Sequence, residues 1–474
     1  MRSYLLETAL VSRSPQPIAA AAGPPEWVRG ALVSVTEAGI ISRIDVAGNG
    51  AAADGQVTGS AERVAGIVLP GMPNAHSHAF QRAMAGNAEF RQSATDSFWT
   101  WRQAMYVLAN RVEPDQLQLI ATQLFIEMLK SGYTAVAEFH YLHRRVDGTP
   151  YHDGNALWNA ITAAAADAGI ALTLLPTLYQ TSDFGARPLK SEQRRFRMES
   201  DEFVRAVEAR IRADPASRTG VAFHSLRAVP LDVLHNVAAA LRSIDAHMPI
   251  HIHVAEQARE VRACQLQTGR RPIELLLDTG LPDGHWCLVH ATHATAEELH
   301  GIVDCGAVVC VSISTEANLG DGHFGTAGFL GRGGRLCIGS DSQITVSPSE
   351  ELRWMEYQQR LRRRRRVALA TTEQPHAGTR LWQDAASAGA QALAQPVGAL
   401  EVGRRADWLV LDPAHPSLAG SGTAAALDHL IFAGADAAIR GVMVGGRWVV
   451  RDGRHEAEER TAGPFAELMR VLKA

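Results

Sequence analysis

Eight short apolar runs bounded by turn residues recur along the chain, at 66–70, 133–139, 171–179, 220–226, 249–254, 286–291, 307–313 and 336–340, with helical segments between them. In PDQLQLIATQLFIEMLK the apolar residues return every three or four positions, and DEFVRAVEARIRA, AEELHGIVD and SEELRWMEYQQRLRRRRR read the same way. Alternating strand and helix argue for a parallel sheet, and eight such units argue for an α/β (β/α)8 barrel. In that architecture the chemistry collects at the C-terminal ends of the strands.

The residues at those ends are of metal-binding type. His76 and His78 follow the first run in VLPGMPNAHSHAF, His253 and Glu256 lie in PIHIHVAEQ, His290 in CLVHATH and Asp341 in LCIGSDS. Side chains two apart on a strand point to the same side, so His76 and His78 can converge on one ion. A catalytic zinc takes about three or four protein ligands and keeps one position for water. His76, His78 and His253 are the natural nitrogen ligands, and Asp341 completes the sphere. His251 has the same strand parity as His253, one layer deeper, and the Glu that follows favours His253. His293 is a local rival of His290, and Asp341 could instead cap a helix. Glu256, three residues beyond His253, cannot share its face on a straight strand and is expected just past the strand end, above the metal. Its alternative is a helix N-terminal carboxylate.

Outside the runs, the first 65 residues contain the strand-like GALVSVTEAGIISRIDVAG, and the tail resumes with ADWLVLDP and AIRGVMVGGRWVVRDGR. One small β-sandwich built from both termini is expected, giving a discontinuous division into 1–65, a barrel over 66–394, and 395–474. Only Lys130, Lys190 and Lys473 are lysines, and none stands at an expected strand end. That removes Schiff-base chemistry and leaves no lysine to bridge two metals, so one metal per chain is favoured. The five cysteines form no C-x-x-C pair, which fits a reducing cytosol. A Glu interrupts the apolar N-terminus, and no segment reaches membrane-spanning length, so neither secretion nor a membrane partner is expected. A net charge of −4 argues against nucleic acid. The run Arg362–Arg366 reads as a solvated helix face that Glu350, Glu351 and Glu356 could pair with, and STEANLGDG reads as a loop after strand seven.

Taken together, PGMPNAHSHAFQRAMAG, DSFWTWR, YTAVAEFHYLH, HSLRAVP, HIHVAEQ, LVHATH, STEANLGDG and GSDS resemble the amidohydrolase superfamily and, within it, the N-formimino-L-glutamate deiminases of histidine degradation. The metal motif alone is shared with cytosine, guanine and adenosine deaminases, and the segments HSHAFQRAMAG, DSFWTWR and EFHYLH narrow it. The resemblance implies a barrel with a β-sandwich, one zinc ion per chain, a cytoplasmic homodimer, and conversion of formiminoglutamate and water to N-formylglutamate and ammonia. Such a hydrolysis needs a nucleophilic water, a proton for the nitrogen and support for a tetrahedral centre. Asp341 is expected to accept the water's proton, Glu256 to carry a proton to the imino nitrogen, and His290 to orient the water or polarise the developing oxyanion. The resemblance places Gln81 and Tyr141 near the formimino end and the first carboxylate, and Arg102, His224 and Arg227 on the carboxylates. Arginine's planar fork suits a dianion. A nucleobase deaminase would instead present aromatic and amide groups, and a non-catalytic scaffold would be expected to lose ligands.

Overall fold

The computed structural model describes residues 1–12, 25–46, 61–90, 96–215, 217–434 and 436–473; the last two residues of the strand-like stretch 30–48 lie outside them. Four strands open the chain: β1 (Arg2–Ser12), β2 (Pro25–Val35), β3 (Ile41–Val46) and β4 (Glu62–Pro70). Next come β5 (Met72–Ser77), β6 (Tyr133–His140), β7 (Ala171–Leu178), the two-residue β8 (Arg218–Thr219) and β9 (Val221–Ser225). They are followed by β10 (Ile250–Val254), β11 (Trp286–His290), β12 (Val308–Val311) and β13 (Arg335–Ile338). The tail supplies β14 (Trp408–Leu411), β15 (Ile439–Val444), β16 (Arg447–Arg451) and β17 (Arg454–His455).

Strands β5, β6, β7, β9, β10, β11, β12 and β13 hydrogen-bond side by side in that order, all parallel, with β8 attached to β7. The sheet closes through a parallel bridge between Ser77 and Asp341, where the N–H groups of Ser340 and Asp341 donate to the His76 carbonyl at 3.1 and 3.0 Å. Closure requires Gly339, since a Cβ there would lie 2.7 Å from the Cβ of His76. β5 and β6 are buried along their whole length, as strands covered on both faces must be. The seam is thus made by the residues that carry the site.

The remaining strands form one sheet in the order β17-β16-β15-β14-β4-β1-β2-β3. Tyr4, Leu6, Val33, Val68, Trp408 and Met443 meet there in a core separate from that of the barrel. The small β domain therefore does join the two ends of the chain. The apolar run 66–70, expected as the barrel's first strand, belongs to it: Val68 pairs with Ala9 of β1 and Val410 of β14. The barrel begins only at Met72, beyond Gly71, where a side chain would strike Thr134 at 2.3 Å. The true first strand, MPNAHS, carries three polar residues and is masked in the sequence by the more apolar GIVLP before it.

Two further expectations need correction. STEANLGDG is not simply a loop: Ile313–Leu319 is helical, because Glu316 reaches back to accept the Ser312 N–H at 3.1 Å and the Asn and Gly cluster falls at the helix's C-terminal end. Arg362–Arg366 does sit exposed at the end of the helix Pro348–Arg363, but two of its three expected acidic partners point elsewhere. Glu351 is buried against Ser314, and Glu356 binds Arg360 and the N–H groups of Ala368 and Leu369.

Arg195 braces the segment that brings Arg102 to the barrel mouth. Wholly buried, it donates to the carbonyls of Ala109 and Val112 at the end of the helix Phe98–Ala109, to the Arg144 carbonyl at 2.8 Å and to the Tyr151 hydroxyl at 3.0 Å. Arg195→Met would strand several buried acceptors, at about 1–3 kcal/mol each. A loss on the order of 3 kcal/mol or more is expected, read as a lower urea midpoint, and an unchanged midpoint would refute the bracing role.

Candidate active site

At the C-terminal mouth of the barrel four ring and carboxylate groups converge. The Nε2 atoms of His76 and His253 lie 3.0 Å apart, and the Nε2 atoms of His76 and His78 are each 3.5 Å from Asp341 Oδ1. Two sets of potential ligands at this mouth have mutual ligand-atom distances within 4.8 Å, His76–His78–Asp341 and His76–His253–His290. The second nitrogens explain the orientation. His78 Nδ1 bonds the Phe139 carbonyl at 2.8 Å and His253 Nδ1 the His224 carbonyl at 2.9 Å. A carbonyl can only accept, so each Nδ1 carries the hydrogen and each Nε2 turns a lone pair toward the centre, as in metal-binding histidines. His76 Nδ1 is buried without such a partner among the described residues. His251 points inward below this layer, its Nε2 on the Ala392 carbonyl at 2.8 Å, so His253 is the one at the centre.

Backbone strain brings the acids in. Ala255, His290, Ala291, Asp341 and Gln343 are non-glycine residues with φ between 46° and 70°, and all but Gln343 lie at or next to the ends of apolar runs. Such left-handed residues persist only where surrounding structure enforces them, and they cluster at functional sites. At Ala255 the chain turns off β10, and Glu260 holds the turn by accepting the N–H groups of Ala255 at 3.3 Å and Glu256 at 3.0 Å. Glu256 therefore stands past the strand end, its Oε1 3.8 Å from His290 Nε2. His290 Nε2 is also 3.8 Å from Asp341 Oδ2, and its Nδ1 is 3.2 Å from Glu316 Oε1. His293 does not line the pocket.

Burial dominates the electrostatics. It lowers His78 to about 3, helped by His76, and holds His253 well below the usual imidazole value. These nitrogens stay unprotonated and available at neutral pH. Burial raises Glu256 above the ordinary carboxylate range, against the pull of His290 and Arg227. For Asp341 burial acts upward, but the His76 hydrogen bond and the neighbouring histidines hold it below its ordinary value. For His290 burial acts downward and is outweighed by Glu256, Glu316 and Asp341, which raise it to about 10.

A pocket opens above this centre, and Gln81, Arg102, Tyr141, His224 and Arg227 all line it. Gln81 donates to the Tyr141 hydroxyl at 3.0 Å, leaving its own Oε1 buried with no partner among the described residues. Arg227 is buried, Arg102 lies with its guanidinium 4.4 Å from the Trp99 ring centre, and the Nε of each has no hydrogen-bond partner among the described residues. His224 stacks edge-on against Tyr179 at 4.5 Å. Sequence reading missed Tyr179, Trp101 and Glu316. Tyr179 closes the third apolar run and was reachable by the strand-end rule, whereas Trp101 and Glu316 lie on helices whose faces the sequence leaves open.

A profile of the amidohydrolase family matches residues 67–449. The chain belongs to the amidohydrolase family. It is 50% identical over 452 residues to a formimidoylglutamate deiminase of Pseudomonas aeruginosa, an alignment covering 95% of this chain and 97% of that one. With an 8-oxoguanine deaminase of the same organism this amidohydrolase shares 27% identity, over 91% and 94% of the two chains. Its fold matches a crystal structure of an amidohydrolase from Brucella melitensis at a TM-score of 0.88 and 36% identity, covering both chains fully. A zinc-bound adenosine deaminase from Xanthomonas campestris shares the fold at a TM-score of 0.78 and 20% identity, over 99% and 98% of the chains.

Proposed function

We propose that this amidohydrolase hydrolyses N-formimino-L-glutamate to N-formyl-L-glutamate and ammonia in histidine degradation, as a cytoplasmic homodimer with one zinc ion in each active site. The observation that carries the reading is the pairing of two arginines with unengaged Nε groups beside a polyhistidine–aspartate centre, in a chain half identical to a formimidoylglutamate deiminase. A planar guanidinium fits each carboxylate of a dianion, while a nucleobase offers nothing for two arginines to neutralise. The division into a barrel and a β domain from both termini belongs to this reading, with the first boundary moved to Gly71.

The donor set fits zinc. His76, His78 and His253 would supply nitrogens and Asp341 an oxygen, with two of the three rings already oriented by carbonyls behind them. When bound, the ion supplies Lewis acidity that makes a water nucleophilic near neutral pH. The chain's own groups then manage protons. Asp341 takes a proton from the attacking water, Glu256 delivers one to the imino nitrogen, and His290 faces the side where oxygen gains charge. As the C–N bond breaks, Asp341 passes its proton on to the nitrogen, which leaves as ammonia, and the hydroxyl of the tetrahedral centre returns a proton to Glu256 as its oxygen becomes the formyl carbonyl. Gln81 and Tyr141 hold the formimino end, and Arg102, His224 and Arg227 hold the carboxylates.

Ammonia release by the wild type, Arg102→Ala and Arg227→Ala tests this on two substrates, formiminoglutamate and a formimino compound lacking the side-chain carboxylate. Each truncation is expected to lose about 1.5–3 kcal/mol per charged hydrogen bond, roughly 10- to 10²-fold in kcat/KM, with metal content unchanged. At least one variant should lose less on the smaller substrate. Equal losses on both substrates in both variants would make the arginines loop braces, and efficient turnover of guanine or cytosine by the wild type would refute the assignment.

A further inference from the structure

One layer beneath the active centre the barrel interior holds a second set of metal-ligating groups. Cys287, Cys310 and Cys337 lie on the neighbouring strands β11, β12 and β13, and His251 lies on β10, two residues before His253. In the strand register His251 is opposite Cys287, Cys310 is opposite Cys337, and Val289, two beyond Cys287, is opposite Cys310. Paired residues share a face, and so do residues two apart. All four side chains therefore point the way His253 points, into the barrel. Each is fully buried, and the three sulfurs lie within 4.8 Å of one another. A tetrahedral ion with zinc–sulfur bonds of about 2.3 Å spaces its sulfurs roughly 3.8 Å apart, so modest contraction brings the three sulfurs to ligand spacing, while His251 stands outside that 4.8 Å set and reaches it through Cys287.

His251 supplies an independent observation. Its Nε2 donates to the Ala392 carbonyl at 2.8 Å, which leaves the lone pair on Nδ1. That Nδ1 is buried and faces Cys287, the side chain its ring interacts with among the described residues. A carbonyl behind the ring and a nitrogen facing a thiol in front is an arrangement that orients metal-binding histidines.

We propose that Cys287, Cys310, Cys337 and His251 form a closed four-ligand site for a soft divalent ion of the zinc type. Three cysteines and one histidine fill a tetrahedral sphere, so no position is left for water and the site is structural. The thiols release their three protons to solvent as the ion binds, and the weak contact of Cys337 Sγ with the Val309 carbonyl at 3.6 Å is given up. The ion would tie together β10, β11, β12 and β13, the strands whose ends carry His253, His290 and Asp341. With the active-site ion the chain would hold two metals, in place of the one inferred from sequence. The inference does not depend on which substrate the enzyme takes.

Cobalt distinguishes the two sites, because the proposed active-site ligands include no sulfur. Protein produced in cobalt-supplemented minimal medium should show thiolate-to-cobalt charge transfer in the near ultraviolet, and zinc-grown protein should contain two metal ions per chain. Cys310→Ala should lose the charge-transfer band and one metal equivalent. Cys264→Ala, on the helix Ala258–Thr268, should keep both. Cobalt bound without a charge-transfer band, or one metal per chain in freshly purified wild type, would overturn the site. The wild-type spectrum decides even if Cys310→Ala does not fold.

Discussion

Replacing His253 with alanine is expected to yield a folded protein that holds one metal ion fewer than the wild type purified beside it and releases no measurable ammonia. The ring lies at the middle of the proposed sphere, 3.0 Å from His76 Nε2 and stacked on His290 at 5.6 Å. Changing only the groups behind a metal ligand typically costs 10–100-fold in affinity, so loss of the ligand itself should cost on the order of 10²-fold or more. Three donors, His76, His78 and Asp341, would remain, and with affinity lowered that far the ion should be lost on dilution, while the backbone bridge that closes the barrel seam is untouched. Metal analysis with an activity assay reads the result. Unchanged metal content together with wild-type turnover would remove His253 from the centre.

Why His253 rather than His251 was only half legible in the sequence shows what a linear reading can and cannot reach. Strand parity put both rings inside the barrel, and the choice between them depended on Glu256. The structure separates them by depth: His251 meets the Ala392 carbonyl at the end of the helix Ala377–Leu393, a partner 141 residues away that no local pattern reveals. The same limit explains the misplaced first strand, since GIVLP reads as barrel core until β1 and β14 are seen to claim it. What was legible followed rules of short range. The two-residue spacing of His76 and His78, the position of Asp341 after its apolar run, and the need for Glu256 to leave the strand all follow from backbone geometry. Glu316 was not legible, because its contact with His290 depends on a short helix whose Asn and Gly resemble a loop.

Glu256→Gln separates chemistry from architecture and should lower turnover by roughly 10²- to 10⁴-fold, the scale of positioned proton transfer, while leaving metal content unchanged. Glutamine keeps the volume and hydrogen-bonding reach of the carboxyl but cannot ferry a proton. The wild-type group is suited to the task because burial raises its pKa, so the acid form survives to a higher pH than in an ordinary glutamate. Wild-type kcat should accordingly fall as pH rises through that raised value, and the residual rate of the variant should lack this limb. Stability supplies the control, with its sign fixed by the same shift. A carboxyl whose folded pKa lies above its unfolded value destabilises the fold once it ionises, an effect absent below the unfolded pKa and complete above the folded one. The neutral amide avoids that cost, so at neutral to alkaline pH Glu256→Gln should melt no lower than the wild type. A capping carboxylate at the start of the helix Ala258–Thr268 would behave in the opposite way, with near-normal turnover and a lowered melting temperature, and that pair of results would assign Glu256 to the fold and leave the proton transfer to another residue.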